Sequence, residues 1–308
     1  MTFDIKKIPP YFKHPARVFL QQGKGRMFRW MDDETYVKLL YKSVMDEPLH
    51  LEDPKTFNEK VQWTKLYDRN PIYTQLVDKL KVRSFVADRV GEEYLVPLLG
   101  SWKNADQIQF ETLPNRFVLK CNHDSQNVIV CRDKSECNTS EIRKRMKKAL
   151  KKNYFYVGRE WAYRDVEPCV LAEEYLEDES GSLNDYKFFC FDGEPRFMYV
   201  ASGRQTDFRM DFFDMDFDHL PICGNKPWSD DPISKPECFE EMKTVCAALA
   251  KGIAQVRIDL YNVNGRPFFG EMTFYNWNGI ARFDPPEWDL KFGNCWDLPT
   301  DLLFEVKN

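Results

Sequence analysis

Two carboxylates and a hydroxyl sit on consecutive segments joined by Asn264-Gly265: Asp259 on the first, Glu271 and Thr273 on the second. Both segments alternate apolar and polar residues, the pattern of half-buried strands flanking an Asn-Gly turn. Side chains alternate faces along a strand, so the turn length decides which of them meet. A two-residue turn pairs Asp259 with Gly270 and Ile258 with Glu271, sending the carboxylates to opposite faces. A three-residue loop over 263–265, with Gly265 left-handed, instead pairs Asp259 with Phe269 and Arg257 with Glu271. Asp259, Glu271 and Thr273 then share one face with Arg257. Such a row of hard oxygen donors suits Mg²⁺, which takes one or two protein carboxylates and completes its shell with water and phosphate. A magnesium platform therefore requires the three-residue loop. An ordinary hairpin with a solvated polar face fits the same residues.

The elements around this hairpin must come from a chain of 308 residues, enough for one large or two medium domains with a substantial core. A formal charge of −5 and a pI near 5.6 give no overall attraction to nucleic acid. Nine cysteines without Cys-x-x-Cys spacing, mostly inside apolar runs, read as small buried thiols of a reducing compartment. They do not make a disulfide framework or, with four scattered histidines, a zinc site. The first ten residues lack the apolar stretch of a leader, and nowhere do about 18 apolar residues run together, so a soluble cytoplasmic protein without a transmembrane segment is expected.

Along the chain, helical patterns occupy 33–41 and 72–90, the latter stopping at Gly91. Strand-like runs follow at 117–120 and 127–131. Asn138-Thr-Ser-Glu141 has capping-box spacing and precedes an apolar stripe of Ile142, Met146, Ala149 and Leu150. The other faces of that helix carry seven basic residues between 143 and 152, either a solvated surface or a site for an anionic substrate or lipid pyrophosphate. Strands at 170–175, 186–191 and 196–201, then a helix over 239–251, lead to the hairpin. The mixture predicts an α+β fold, organised as a helical region 1–70, a first lobe 71–175 and a second lobe 176–308.

Other residues could meet a nucleotide. Lys120 ends an apolar strand beside the polar link 121–127 and can clamp phosphate as a point charge, or face water from an edge. Glu173 and Glu174 end another strand, and Asp185 and Lys187 open the next; acids at strand ends can accept ribose hydroxyls, and exposed backbone there can bond a purine.

In this order the chain resembles the ATP-grasp superfamily, and more closely its TupA-like branch, the teichuronopeptide and polysaccharide biosynthesis type often found among genes for bacterial surface polysaccharides. The resemblance spans roughly residues 51–288. It is carried by Pro54-Lys-Thr-Phe-Asn-Glu-Lys-Val-Gln-Trp63, Leu66-Tyr-Asp68, Val77-Asp-Lys79, Phe117-Val-Leu-Lys-Cys-Asn-His-Asp-Ser125, Gly158-Arg-Glu-Trp161, Asp185-Tyr-Lys-Phe-Phe-Cys-Phe191 and Val256-Arg-Ile-Asp-Leu-Tyr261.

The resemblance implies two α+β lobes enclosing ATP, with Lys79 and Lys120 on the phosphates and His123 and Ser125 in the 122–127 link closing over them. Glu173, Glu174, Tyr175 and Leu176 match the adenine hinge, Asp185 a ribose contact, and Lys187 points into the same cleft. Asp259, Glu271 and Thr273 fall where the superfamily places its Mg²⁺ ligands, although asparagine is more usual at the third. Arg204 or Arg209, with Arg257 on the hairpin, matches the arginine that steadies the transferred phosphoryl group. The implied reaction joins a carboxylate to an amine through an acyl phosphate. Its implied partners are a uronic-acid-containing glycan and an amino acid or other small amine. Two departures stand out: Gln126-Asn127 replace the glycines usual after His-Asp-Ser, and Asn276-Trp277-Asn278-Gly279 replaces Pro-Gly-Ser-Gly. They leave open a catalytically weakened nucleotide-binding relative. The triplet Asp214-Met215-Asp216 leaves open a glycosyltransferase holding a metal and a sugar diphosphate.

Overall fold

A computed structural model describes residues 28–298 apart from 125–126, 180–182, 204–206 and 225. Ser125 and Arg204 therefore lie outside the described residues.

The chain enters through α1 (Asp33–Met45), whose start is fixed by Asp32 accepting from the Thr35 amide. In α2 (Phe57–Tyr67) Thr56 and Glu59 form a reciprocal capping box. One face of α2 packs Trp63 and Leu66 against Tyr36, Val37 and Leu40 of α1. Its opposite face sends Phe57 and Val61 into the main core, where Phe57 meets Phe189, Phe191, Phe283 and Phe292 edge-on.

The helix expected over 72–90 is two helices, α3 (Ile72–Val77) and α4 (Val82–Val90). Asp78 makes the break: its Oδ1 accepts the amides of Leu80 and Lys81, offering the backbone a turn in place of a helical rung. Lys79 thereby leaves the helix, and its amide is bonded to the Asn122 carbonyl.

The first sheet has strand order β1-β4-β2-β3, comprising β1 (Leu98–Trp102), β2 (Phe117–Cys121), β3 (Val128–Cys131) and β4 (Val170–Glu174). Alternation along β2 sends Phe117, Leu119 and Cys121 into a core with Ile142, Met146 and Ala149 of α5 (Thr139–Leu150). Val118 and Lys120 face the other way. Of the basic residues of α5, Arg143 donates to the carbonyls of Ala105, Asp106 and Ile108, and Arg145 to that of Val128. Beyond it, α6 (Phe155–Gly158) and a short 3₁₀ turn, Trp161–Tyr163, lead to β4.

The second sheet is antiparallel throughout, in the order β7-β6-β5-β8-β9: β5 (Asp185–Phe191), β6 (Glu194–Ser202), β7 (Arg209–Phe213), β8 (Gln255–Val263) and β9 (Arg266–Thr273). One face, with Phe188, Val200, Ile258 and Met272, is covered by Met242, Val245, Cys246 and Leu249 of α7 (Phe239–Ala250). The other carries Lys187, Tyr199, Asp259 and Glu271 side by side. A last helix, α8 (Glu287–Gly293), packs against α2.

The hairpin corrects the expected loop. Val263 pairs with Arg266, so Asn264-Gly265 is a tight two-residue turn with φ of 52° and 77°. Parity is restored further down: Leu260 pairs with Phe269 but Asp259 with Glu271, leaving Gly270 as an extra residue in β9. A Cβ there would stand 3.1 Å from the Asp259 carbonyl oxygen and 3.2 Å from the Tyr261 ring, a closeness that glycine accommodates. The carboxylates thus share a face through a bulge in the strand, not through the turn.

Candidate active site

A cavity of about 670 Å³ lies between the two sheets. The first sheet contributes Lys120, Val118, Val128 and Val130; the end of β4 and its continuation contribute Glu173, Glu174, Tyr175 and Leu176. The second sheet contributes Asp185, Asp259 and Glu271, and Lys79 reaches in from the break between α3 and α4.

Every acid on the floor is matched by a cation. The Lys187 ammonium lies 2.8 Å from Asp185 and also pairs with Asp259. Arg257 grips Asp259 with Nε at 2.6 Å and Nη2 at 2.8 Å, a fork that orients the carboxylate as well as neutralising it. The same Nη2 reaches Glu271 at 3.4 Å and the Thr273 hydroxyl at 3.2 Å. Lys79 bridges the lobes, its Nζ 3.1 Å from Glu271 and donating to the Asp124 carbonyl oxygen at 2.8 Å. Burial alone would raise the Glu271 carboxyl, but Lys79, Lys187 and Arg257 together hold it well below the usual range. On the roof, Lys120 lies 2.5 Å and Arg83 3.5 Å from Glu173.

The structure therefore brings together Lys79, Lys120, Glu173, Glu174, Tyr175, Leu176, Asp185, Asp259 and Glu271 as cavity wall, with Lys187 immediately beneath. Among the described residues it does not bring in the others. Thr273 is held by Arg257 behind the floor, and Arg257 itself is buried there. His123 is buried beside the C-terminal turn of α5, where burial pushes its imidazole down. Arg209 is tied to Asp207 at 2.5 Å and Asp230 at 3.0 Å, away from the cavity wall. Asp214 of the Asp-x-Asp triplet caps its own turn, accepting the amides of Asp216 and Asp218.

Sequence reasoning missed Arg83 and the apolar walls. Val118 was accessible to it, since a residue two before Lys120 shares its face. Arg83 carried no signal, because its approach to Glu173 depends on how α4 meets the sheet.

Among the described residues no group of three or more His, Cys, Asp and Glu side chains forms a metal cage. The two carboxylates that do reach the cavity, Asp259 and Glu271, are instead the donor set that Mg²⁺ uses when phosphate and water complete its shell. The residues present fit that ion.

The TupA-like ATP-grasp family matches residues 59–296. This chain belongs to that family. Among solved structures, it is similar to D-cycloserine synthetase DcsG, at 13% identity over 99% of this chain and 98% of that one, with a TM-score of 0.43. It is also similar to D-alanine–D-alanine ligase from Bacillus anthracis, at 15% identity and a TM-score of 0.39. That match covers 65% of this chain and 57% of the ligase, so the chain spans a little over half the ligase's length. The ATP-grasp ligase PsnB, complexed with minimal precursor, Mg and ADP, matches at 12% identity over 82% of this chain and 65% of that one, with a TM-score of 0.37. A search of the curated proteins returned no significant match. No helix among the described residues is long and apolar enough to cross a membrane.

Proposed function

We propose that this member of the family is an ATP-dependent, ADP-forming carboxylate–amine ligase that attaches an amino acid or other small amine to a uronic acid of a bacterial surface polysaccharide, working in the cytoplasm. The observation that carries this reading is the charge-balanced row of Asp185, Lys187, Asp259, Arg257 and Glu271 under a cavity roofed by Lys120 and latched by Lys79.

The nucleotide lies between the lobes, with adenine against the backbone of 174–176 and the walls Val118 and Val128, the ribose toward Asp185, and the phosphates between Lys79 and Lys120. Asp259 and Glu271 would hold magnesium, which would supply charge neutralisation of the phosphates. Lys187 and Arg257 hold the two carboxylates in place. A substrate carboxylate oxygen attacks the γ-phosphorus, the bond to the β-phosphate oxygen breaks, and ADP leaves. The amine nitrogen then attacks the acyl carbon of the resulting acyl phosphate. The carbon–oxygen bond to phosphate breaks, inorganic phosphate leaves, and the amine's surplus proton passes to a base. A cleft closed around the substrates would shield the acyl phosphate from water. Arg204 or Arg209 would steady the transferring phosphoryl group; for this Arg209 would need release from Asp207 and Asp230.

The test is purified protein with Mg-ATP, uronic-acid glycan and pooled amino acids, followed for ADP and for a new amide mass. ADP and amide formed in equal amounts is the expected result. Release of a nucleoside diphosphate from a sugar donor, without ATP consumption, sinks the reading.

A further inference from the structure

The turn made by Asp78 lets one short segment send two cations toward the cleft. Lys79, on the turn itself, reaches the floor at Glu271. Arg83 lies four residues further on, in the first turn of α4, a helix anchored by the buried Val82 and Val86. Its guanidinium reaches the roof instead and stands 3.5 Å from Glu173 Oε1. The other oxygen of that carboxylate, Oε2, lies 2.5 Å from the Lys120 ammonium. One acid thus holds two cations, one on each oxygen. Among the described residues, Glu173 and Lys120 line the cavity and Arg83 does not.

Strand geometry makes the inner half of this arrangement. Alternation along β2 puts Lys120 on the same face as Val118, and Val118 pairs with Glu173 of β4. Lys120 and Glu173 are therefore diagonal neighbours on the cavity face of the sheet. The side chains of Lys120, Glu173 and Arg83 are only 12%, 8% and 18% exposed, so water does little to neutralise any of them. Among the described residues, Glu173 meets no third cation and Lys120 no second carboxylate within 4 Å. To turn toward a phosphate, Lys120 must leave Glu173, and a buried carboxylate stripped of its partner is strongly unfavourable. Arg83 is placed to prevent that stranding. A guanidinium is more weakly hydrated than an ammonium and can fork onto a carboxylate, which suits it to a buried acid.

We propose that Arg83 is a positioning residue for the nucleotide: it takes over the neutralisation of Glu173 when Lys120 swings to the phosphates, and so sets the affinity for ATP and ADP without touching either. The assignment rests on the ligase reading, in which Lys120 meets the phosphates, and adds to it a residue outside the cavity wall. Glu173 holds Lys120 in waiting, and Arg83 is the cation that lets it go.

Calorimetric titration of Mg-ADP into the full-length protein tests the assignment. Arg83→Met should bind about tenfold more weakly than wild type, and Arg83→Lys, which keeps the charge, should recover to within about threefold. In a Glu173→Gln background the acid that needs neutralising is gone, so Arg83→Met should there weaken binding by less than about twofold. Thermal unfolding of the same variants reports whether they fold, and Arg83→Gln replaces Arg83→Met if the latter does not. Undiminished affinity in the folded Arg83 variant overturns the positioning role alone, as does an equal loss with and without the Glu173 carboxylate. Folded Glu173→Gln protein that binds no ADP also overturns it, because Glu173 would then itself be an essential nucleotide contact. Wild-type protein that does not bind ADP overturns the ligase reading and the positioning role with it.

Discussion

The two buried polar interiors of this protein differ in how their charges are matched. On the sheet floor, Asp185, Asp259 and Glu271 face Lys187, Arg257 and Lys79, each within ion-pairing distance of a partner. Elsewhere in the interior Glu160 is also buried but pairs with no cation among the described residues, and burial pushes its carboxyl up to about 7, with Lys65 pulling the other way. The matched floor holds its groups in one geometry before any ligand arrives. Glu160, without such a partner, holds its proton more tightly than an exposed carboxyl does.

The comparison can be broken at several depths. The largest expected effect is on turnover: Asp259→Asn and Glu271→Gln should each lower ADP formation on the order of a thousandfold in a coupled assay, because both remove charge where phosphate charge must be offset. Near-normal rates in both would refute the metal assignment. Next comes stability. Asp259→Ala strands Arg257 and Lys187 in the interior and should lose about 3–5 kcal/mol in urea denaturation, whereas Glu160→Gln should change stability by no more than about 1 kcal/mol. A reversed order would end the distinction between the interiors.

Asp289 gives an intermediate case: it accepts from the Asn58 amide and side chain but pairs with no cation among the described residues, and burial pushes its carboxyl up to about 6. Its folded-state value lies above that of the unfolded chain, so the folded protein holds the proton more tightly. Stability therefore falls as pH rises from about 4 to about 6, by about 2 kcal/mol, and Asp289→Asn should remove that slope in denaturation curves taken across the window. Gly270→Ala is expected to cost about 1 kcal/mol, since the Asp259 carbonyl and the Tyr261 ring must give way by a few tenths of an ångström. Its effect on ADP formation should exceed that stability loss, as it displaces Glu271 from Asp259.

Much of this architecture was legible in residue spacing. Alternation placed Lys120 and Asp259 on strand faces, the Asn138 cap announced α5, and the family resemblance anticipated the ATP-grasp fold. What escaped depends on contacts distant in sequence. Asn264-Gly265 is the signature of a tight turn, but nothing local to the turn reveals the extra residue at Gly270, which is set by the packing of β9 against Tyr261. Lys79 lies in a stretch with helical periodicity, and only the Asp78 side chain, bonding amides two and three residues on, ejects it from the helix. Arg209 has the charge for a phosphoryl contact, but Asp207 and Asp230 hold it elsewhere. Glu160 stood within Gly158-Arg-Glu-Trp161, and its burial is set by contacts distant in sequence.

The bulge at Gly270 gives β9 something like a reading frame. Up to Phe269 the strand is phased by the turn; from Glu271 onward it is phased by the bulge. Deleting Gly270 would place Glu271 directly after Phe269 and opposite Asp259, so an unbulged ladder keeps both carboxylates on one face. Drawing Gly270 into the ladder as an ordinary paired residue would instead send Glu271 under α7 and Met272 into the nucleotide cavity. The deletion should therefore retain the shared face of Asp259 and Glu271, and a substitution that straightens the bulge should lose it. A tight turn and an active site that demand opposite phases coexist because one glycine separates them.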